Sequence, residues 1–307
     1  MQLRRFGWSA LVLAVLGLPA FYVLTIPSTL SPDALKPRSP DLANGEIMFS
    51  IGGCASCHAT PKQEDRLKLG GGLELSSPFG SFKVPNISPD PKAGIGDWTE
   101  LQFANAMLRG VGRNNEHLYP SFPFTSYQRM SLDDVRDLYA FLRSLPPVAT
   151  PSEPHRLAFP FNIRRTLGVW KLLFVDGRAF APDPGKAAAH NRGAYLVEGP
   201  GHCGECHSAR NRLGGIMPET RFAGGPDPGG KGGWVPNITP HADGLAAWSA
   251  KDMEFFLQTG LAPDGYAVAS EMADVILNTS KLSPADRAAM AAYLTALPPR
   301  PGKKPSK

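Results

Sequence analysis

Cys54-Ala55-Ser56-Cys57-His58 and Cys203-Gly204-Glu205-Cys206-His207 use all four cysteines of this 307-residue chain. In Cys-x-x-Cys-His the two thiols lie one helical turn apart and can each add to a vinyl group of a haem. The histidine that follows then stands beneath the iron as its proximal ligand. Two copies with no cysteine left over predict two covalently bound haem c groups, attached through Cys54 and Cys57 and through Cys203 and Cys206, with His58 and His207 on iron.

Other uses of a Cys-x-x-Cys pair fit less well. A redox dithiol does not require histidine after its second cysteine, and zinc ribbons set their two pairs roughly 15–20 residues apart. Here the pairs stand in different halves of the chain. A disulfide from i to i+3 closes a very small loop and stabilises little.

Outward from these motifs, the N-terminus runs without a charge from Phe6 to Pro32, and Trp8 to Ile26 is its most apolar part. That length suits a membrane-crossing helix, with Arg4 and Arg5 left in the cytoplasm. A cleaved signal peptide is the alternative, but no small-x-small site follows the apolar run. Residues 1–30 are therefore expected to anchor the protein in the inner membrane. Either reading exports the body to the periplasm.

The net charge of +5 is unevenly spread. Residues 41–148 carry 10 Lys/Arg against 12 Asp/Glu and residues 191–299 carry 8 against 11, so both haem-bearing segments are slightly acidic. The positive excess sits in the first 40 residues, in 149–190 and in the tail 300–307. No basic patch interleaved with aromatics is present, and nucleic acid is not an expected partner.

The chain also repeats itself. Asn44-Gly45 before the first motif matches Arg192-Gly193 before the second, and Val84-Pro-Asn-Ile-Ser-Pro89 matches Val235-Pro-Asn-Ile-Thr-Pro240. Trp98 and Trp248 each open a helical pattern. Ser131 and Ser283 read as N-caps of final helices that stop at Leu-Pro-Pro. A repeat this long is a whole domain. The expected fold is all-α: an N-terminal transmembrane helix, two tandem domains over 41–148 and 191–299, and a proline-rich strap over 149–190. The strap should hold a short amphipathic piece around Leu167 to Phe174. Each domain of about 105 residues buries little alone, so a porphyrin should supply much of its core.

These motifs, with Gly94-Ile95-Gly96-Asp97-Trp98-Thr99 and His117-Leu-Tyr-Pro120, resemble a duplicated class I cytochrome c. They resemble more closely the membrane-associated cytochrome c subunits of bacterial periplasmic alcohol and aldehyde dehydrogenases, over residues 41–299. Those alcohol dehydrogenase subunits typically carry three such sites, and this chain has two.

The resemblance implies an indole N–H from Trp98 and Trp248 to a haem propionate, and Met272 as the sixth ligand of the second iron. For the first iron the family's ligand position holds Phe122, which cannot bind metal. Met130 is the leading candidate, His117 the next, and an open site the third. Met raises the potential and keeps iron six-coordinate.

No nucleophile with an adjacent base and no nucleotide loop is evident, which points to an electron relay. The expected donor is the catalytic subunit of a periplasmic dehydrogenase, and the expected acceptor is the quinone pool, a downstream cytochrome or a terminal oxidase. The rival is a dihaem peroxidase or thiosulfate-oxidising enzyme with an open site at the first haem.

Overall fold

The computed structural model describes residues 15–229 and 232–302. In the first half, Asp41 caps α1 (Leu42–Ile51) by accepting from the Asn44 amide. The first haem motif is itself a helical turn, α2 (Cys54–His58), entered through Gly53 at φ 61°. Helix α3 (Glu100–Arg109) starts in a capping box between Thr99 and Gln102 and stops at Gly110, φ 58°. A four-residue α4 (Phe124–Tyr127) precedes α5 (Leu132–Arg143), whose Ser131 cap accepts from Asp134 N at 3.0 Å. Each such cap satisfies an amide that the helix leaves orphaned, a contribution of about 1 kcal/mol.

After the strap, with its helix α6 (Leu167–Phe174), the sequence of elements recurs. It runs α7 (Ala188–Glu198), the second haem motif, α8 (Ala250–Thr259), α9 (Glu271–Thr279) and α10 (Pro284–Thr295). Ser249 forms the capping box of α8 and Ser283 caps α10. The final helices end two residues before each Leu-Pro-Pro leucine, at Arg143 and Thr295.

The first and last helices of each half cross at a glycine. A Cβ on Gly45 would stand 2.2 Å from the Asp137 carbonyl oxygen, and one on Gly193 would stand 1.9 Å from that of Ala289. Only glycine lets the backbones approach this closely. Around the crossings, Met48, Leu138 and Leu142 in one half and Leu196, Met290 and Leu294 in the other join a single continuous apolar core.

Two expectations need correction. The fold is not all-α, because antiparallel strands β1 (Glu74–Ser77) and β2 (Gly80–Lys83) form a hairpin. The strap adds β3 (Arg156–Leu157) to its edge, and β4 (Gly225–Pro226) pairs with β5 (Trp234–Val235) in the second half. The hairpin turns at Gly80, φ 122°, where the Ser77 hydroxyl donates to the Gly80 carbonyl at 2.8 Å. Its sequence, Glu-Leu-Ser-Ser and Gly-Ser-Phe-Lys, lacks β-branched residues and so carries little strand signal.

The N-terminal transmembrane helix is the second correction. Among the described residues no helix is long and apolar enough to cross a membrane. The described helix covers 15–24 and stops before Thr25, which is wholly buried against the strap. Arg165 Nε donates to Thr25 Oγ1 at 2.7 Å, and Thr25 Oγ1 donates back to the Phe21 carbonyl at 2.6 Å. Pro27, two residues on, cannot continue the helix. Arg4, Arg5, the apolar run up to residue 14 and the tail lysines Lys303, Lys304 and Lys307 lie outside the described residues.

The strap runs partly extended and partly through turns, with a 3-10 turn at Arg164–Thr166 leading into α6. Trp170 Nε1 donates to the Leu213 carbonyl at 2.9 Å. Lys171 Nζ donates to the carbonyls of Arg109 and Gly110 at 2.8 and 2.6 Å, at the C-terminal end of α3. The strap thus ties the first half to the second.

Candidate haem sites

Each candidate proximal histidine is held by the motif that the repeat shares downstream of it. His58 Nδ1–H donates to the Pro85 carbonyl at 2.8 Å, and His207 Nδ1–H donates to the Pro236 carbonyl, also at 2.8 Å. A carbonyl accepts only, so Nδ1 carries the proton and the Nε2 lone pair is left for a metal. Burial lowers His58 to about 4 and lowers His207 as well, which keeps both imidazoles neutral. The carbonyls are positioned by the asparagines next in sequence. Asn86 donates to the Val148 and Thr150 carbonyls at 2.6 and 2.9 Å, and Asn237 to Asp243 and the Arg300 carbonyl at 2.9 and 2.8 Å.

None of the four cysteines forms a disulfide. Burial pushes Cys54 and Cys203 up to about 12 and Cys206 to about 11. A redox dithiol needs a depressed thiol; these thiols are shifted the other way. No group of three or more metal-ligating side chains occurs among the described residues. A porphyrin fits what is present: paired thiols one turn apart, and a neutral imidazole with its tautomer fixed.

Trp98 and Trp248 stand at matching places, each half-buried against the core just before α3 and α8. The Trp98 carbonyl accepts from the Tyr139 hydroxyl, and the Trp248 ring meets Phe256 edge-on at 5.2 Å.

The two methionines differ. Met272 is half-buried in the first turn of α9, behind Ser270 at φ 56°. Met130 is 2% exposed within the core, one residue before the Ser131 cap, where the second half has Leu282 before Ser283. Phe122, at the family's ligand position, meets Tyr127 edge-on at 5.5 Å. His117 is buried with Nε2 donating to the Thr25 carbonyl at 2.9 Å, so that nitrogen is occupied by the N-terminal segment.

Residues that the sequence did not single out surround the two motifs. The Gly52 carbonyl accepts from Tyr127 Oη at 3.0 Å and lies 3.2 Å from His202 Nε2. Glu205, between Cys203 and Cys206, is buried and accepts from Ser126 Oγ at 2.7 Å, from Thr125 Oγ1, and from Arg210 Nη2 at 2.6 Å. Only the neighbourhood of Glu205 and His202 to the cysteines hinted at them.

Helical halves, each presenting paired thiols and a carbonyl-held imidazole, define a c-type cytochrome. The cytochrome c family profile matches residues 42–146. The diheme cytochrome c-type protein of Cereibacter sphaeroides is 46% identical over 299 residues, covering 96% of this chain and 99% of that protein. The chain belongs to this dihaem cytochrome c family and carries two covalently bound haem c groups. It is also similar to the cytochrome c subunit of the quinone-dependent alcohol dehydrogenase of Gluconacetobacter polyoxogenes, 36% identical over 282 residues. The cytochrome subunit of fructose dehydrogenase from Gluconobacter japonicus is 35% identical over 273 residues. These alignments cover 88% and 87% of this chain but 58% and 54% of the two subunits, so the chain spans just over half their length.

Proposed function

We propose that this electron-transfer cytochrome relays electrons in the periplasm from the catalytic subunit of a dehydrogenase to the quinone pool or a downstream cytochrome. The observation that carries the reading is that both Cys-x-x-Cys-His turns present a neutral imidazole with Nδ1 fixed on a proline carbonyl. That arrangement holds a metal ligand still rather than moving a proton. The dehydrogenase relatives support the choice of donor.

In this reading residues 41–148 and 191–299 are the two haem domains and 149–190 the strap between them. Cys54, Cys57, Cys203 and Cys206 attach the porphyrins, and His58 and His207 ligate iron. Met272 supplies the second iron's sixth ligand and Met130 the first's, while Trp98 and Trp248 donate to propionates. The haems supply one-electron redox chemistry at iron. The chain's part is to fix the imidazoles, keep water from the porphyrin edges and set the separation of the two centres.

Carbon monoxide tests the reading. The reduced protein should show two low-spin haems that do not react with the gas. A haem that forms a carbonyl adduct would favour the alternative, a dihaem peroxidase or thiosulfate-oxidising enzyme with an open site beside Phe122.

A further inference from the structure

The two haem turns touch the opposite halves of the molecule by the same rule. In Cys54-Ala55-Ser56-Cys57-His58, the residue before the second cysteine is Ser56, and its hydroxyl accepts from Asn278 Nδ2 of α9 at 2.9 Å. In the second motif that position is Glu205, and its carboxylate accepts from Ser126 Oγ of α4 at 2.7 Å and from Thr125 Oγ1. Asn278 and Ser126 are equivalent as well: each stands five residues before the serine that caps its half's final helix, Ser283 and Ser131. Each half therefore grips the other's haem turn with the same position of the same element. This is the reciprocal pattern of an isologous two-fold interface, here within one chain.

Further contacts fill the space between the two grips. The Gly52 carbonyl, two residues before Cys54, accepts from Tyr127 Oη and from His202, which immediately precedes Cys203. The Tyr127 and His202 rings meet edge-on at 5.6 Å. A Cβ on Gly201 would lie 3.3 Å from Ile51 Cδ1, so the Ile51 side chain packs against the segment that leads into the second motif. Arg66, downstream of the first motif, pairs with Asp274 of α9 at 2.8 Å.

His202 holds a left-handed backbone at φ 39°, where its counterpart in the first half is Gly53 at φ 61°. A histidine in that region is strained, and such strain persists only where the surroundings over-determine it. Its surroundings here are Gly52 and Tyr127 of the other half.

We infer that this pseudo-two-fold junction is the electron crossing between the haems. Ser56 with Asn278, Glu205 with Thr125 and Ser126, and Tyr127–Gly52–His202 act as positioning residues that hold the two attachment turns, and would thereby hold the porphyrins they carry, at a fixed separation. The inference rests on the assignment of both motifs as haem attachment sites. In the crossing one iron goes from ferrous to ferric as the other goes from ferric to ferrous, so one electron moves and no proton is required. These hydrogen bonds would keep the spacing of the two centres constant.

The test uses the dihaem protein, rapid injection of an electron by pulse radiolysis, and the Soret circular-dichroism couplet that two haems at fixed mutual orientation produce. The Thr125→Ala/Ser126→Ala and Asn278→Ala variants should keep two haems per chain. Each should weaken the couplet and slow interhaem exchange, because the two attachment turns lose a hydrogen bond that fixes their separation. Should the double variant fail to fold, Asn278→Ala reads the junction from its other side and Tyr127→Phe removes the hydrogen bond to the Gly52 carbonyl. A native exchange rate and couplet in the variants would overturn the inference. An unmodified protein that holds both haems yet shows no exchange between them would overturn the relay reading itself.

Discussion

The two halves of this cytochrome share the parts that aim an imidazole and differ in nearly everything around it. Both pin Nδ1 on the carbonyl of the repeated Val-Pro-Asn motif, and both cross their first and last helices at a glycine. Yet the first haem turn is an α-helical turn entered through Gly53, whereas the second is a 3-10 turn entered through His202. Beside the first, Phe49 and Phe141 meet at 5.3 Å. Beside the second, the place of Phe141 is taken by Tyr293, whose hydroxyl donates to Glu198 at 2.7 Å, and Glu198 also pairs with the half-buried Arg221. The two halves hold their imidazoles alike while the dielectric surroundings differ. The two haems therefore work in different electrostatic settings.

The largest effect that could break this comparison comes from the attachment residues. Cys54→Ser/Cys57→Ser and Cys203→Ser/Cys206→Ser variants should each retain one haem per chain instead of two, counted by the pyridine haemochrome spectrum. Loss of both haems from either variant would show that the halves do not hold their porphyrins independently. Next in size, Gly45→Ala and Gly193→Ala should each destabilise by ~3 kcal/mol in denaturant unfolding, because a methyl group must push two helices apart. Unequal effects would mean that one crossing yields to the added methyl group more readily than the other.

Much of this was legible in the sequence, for local reasons. The haem motifs, the serine caps at 131 and 283, the helical patterns after Trp98 and Trp248, the strap helix and the stops at Leu-Pro-Pro each announce themselves within a few residues. The hairpin at Glu74–Lys83 did not, because serine, glycine and lysine carry no strand periodicity that an unpaired segment could reveal. The helix expected to cross a membrane was read from apolar length alone, while its end is set by Thr25 docking on Arg165, far away in sequence. The grips on Ser56 and Glu205 join residues 222 and 79 apart in the chain, beyond any local pattern.

The methionines sharpen the comparison further. Met272→Ala should abolish a sulfur-to-iron charge-transfer band from the second haem, and Met130→Ala one from the first. Met130→Leu is the sharper variant, since leucine fills the same place in the second half as Leu282. If the first haem's spectrum survives that change, Met130 is a core residue and not a ligand.

A smaller asymmetry concerns acid. Asp137 is 2% exposed and accepts from Arg38 Nη1 at 2.7 Å, the Asp41 amide at 2.9 Å and Asn44 Nδ2 at 2.9 Å. Against the cost of burial, these partners hold its carboxyl below the ordinary 3.8. Its stabilisation is therefore present above that value and is lost as pH falls through the depressed folded value. The tie between the residue 38–44 segment and α5 should loosen only in strong acid, and Asp137→Asn should cost about 2 kcal/mol in denaturant unfolding at neutral pH. The second half places Ala289 at this point and should show no such dependence.

The claim that two unlike haems act as one electron relay is tested most directly by a spectroelectrochemical titration of the intact protein. The account predicts uptake of two electrons per chain in two separate one-electron steps, with both haems low-spin throughout. Uptake of a single electron, or a haem that turns high-spin on reduction, would contradict it.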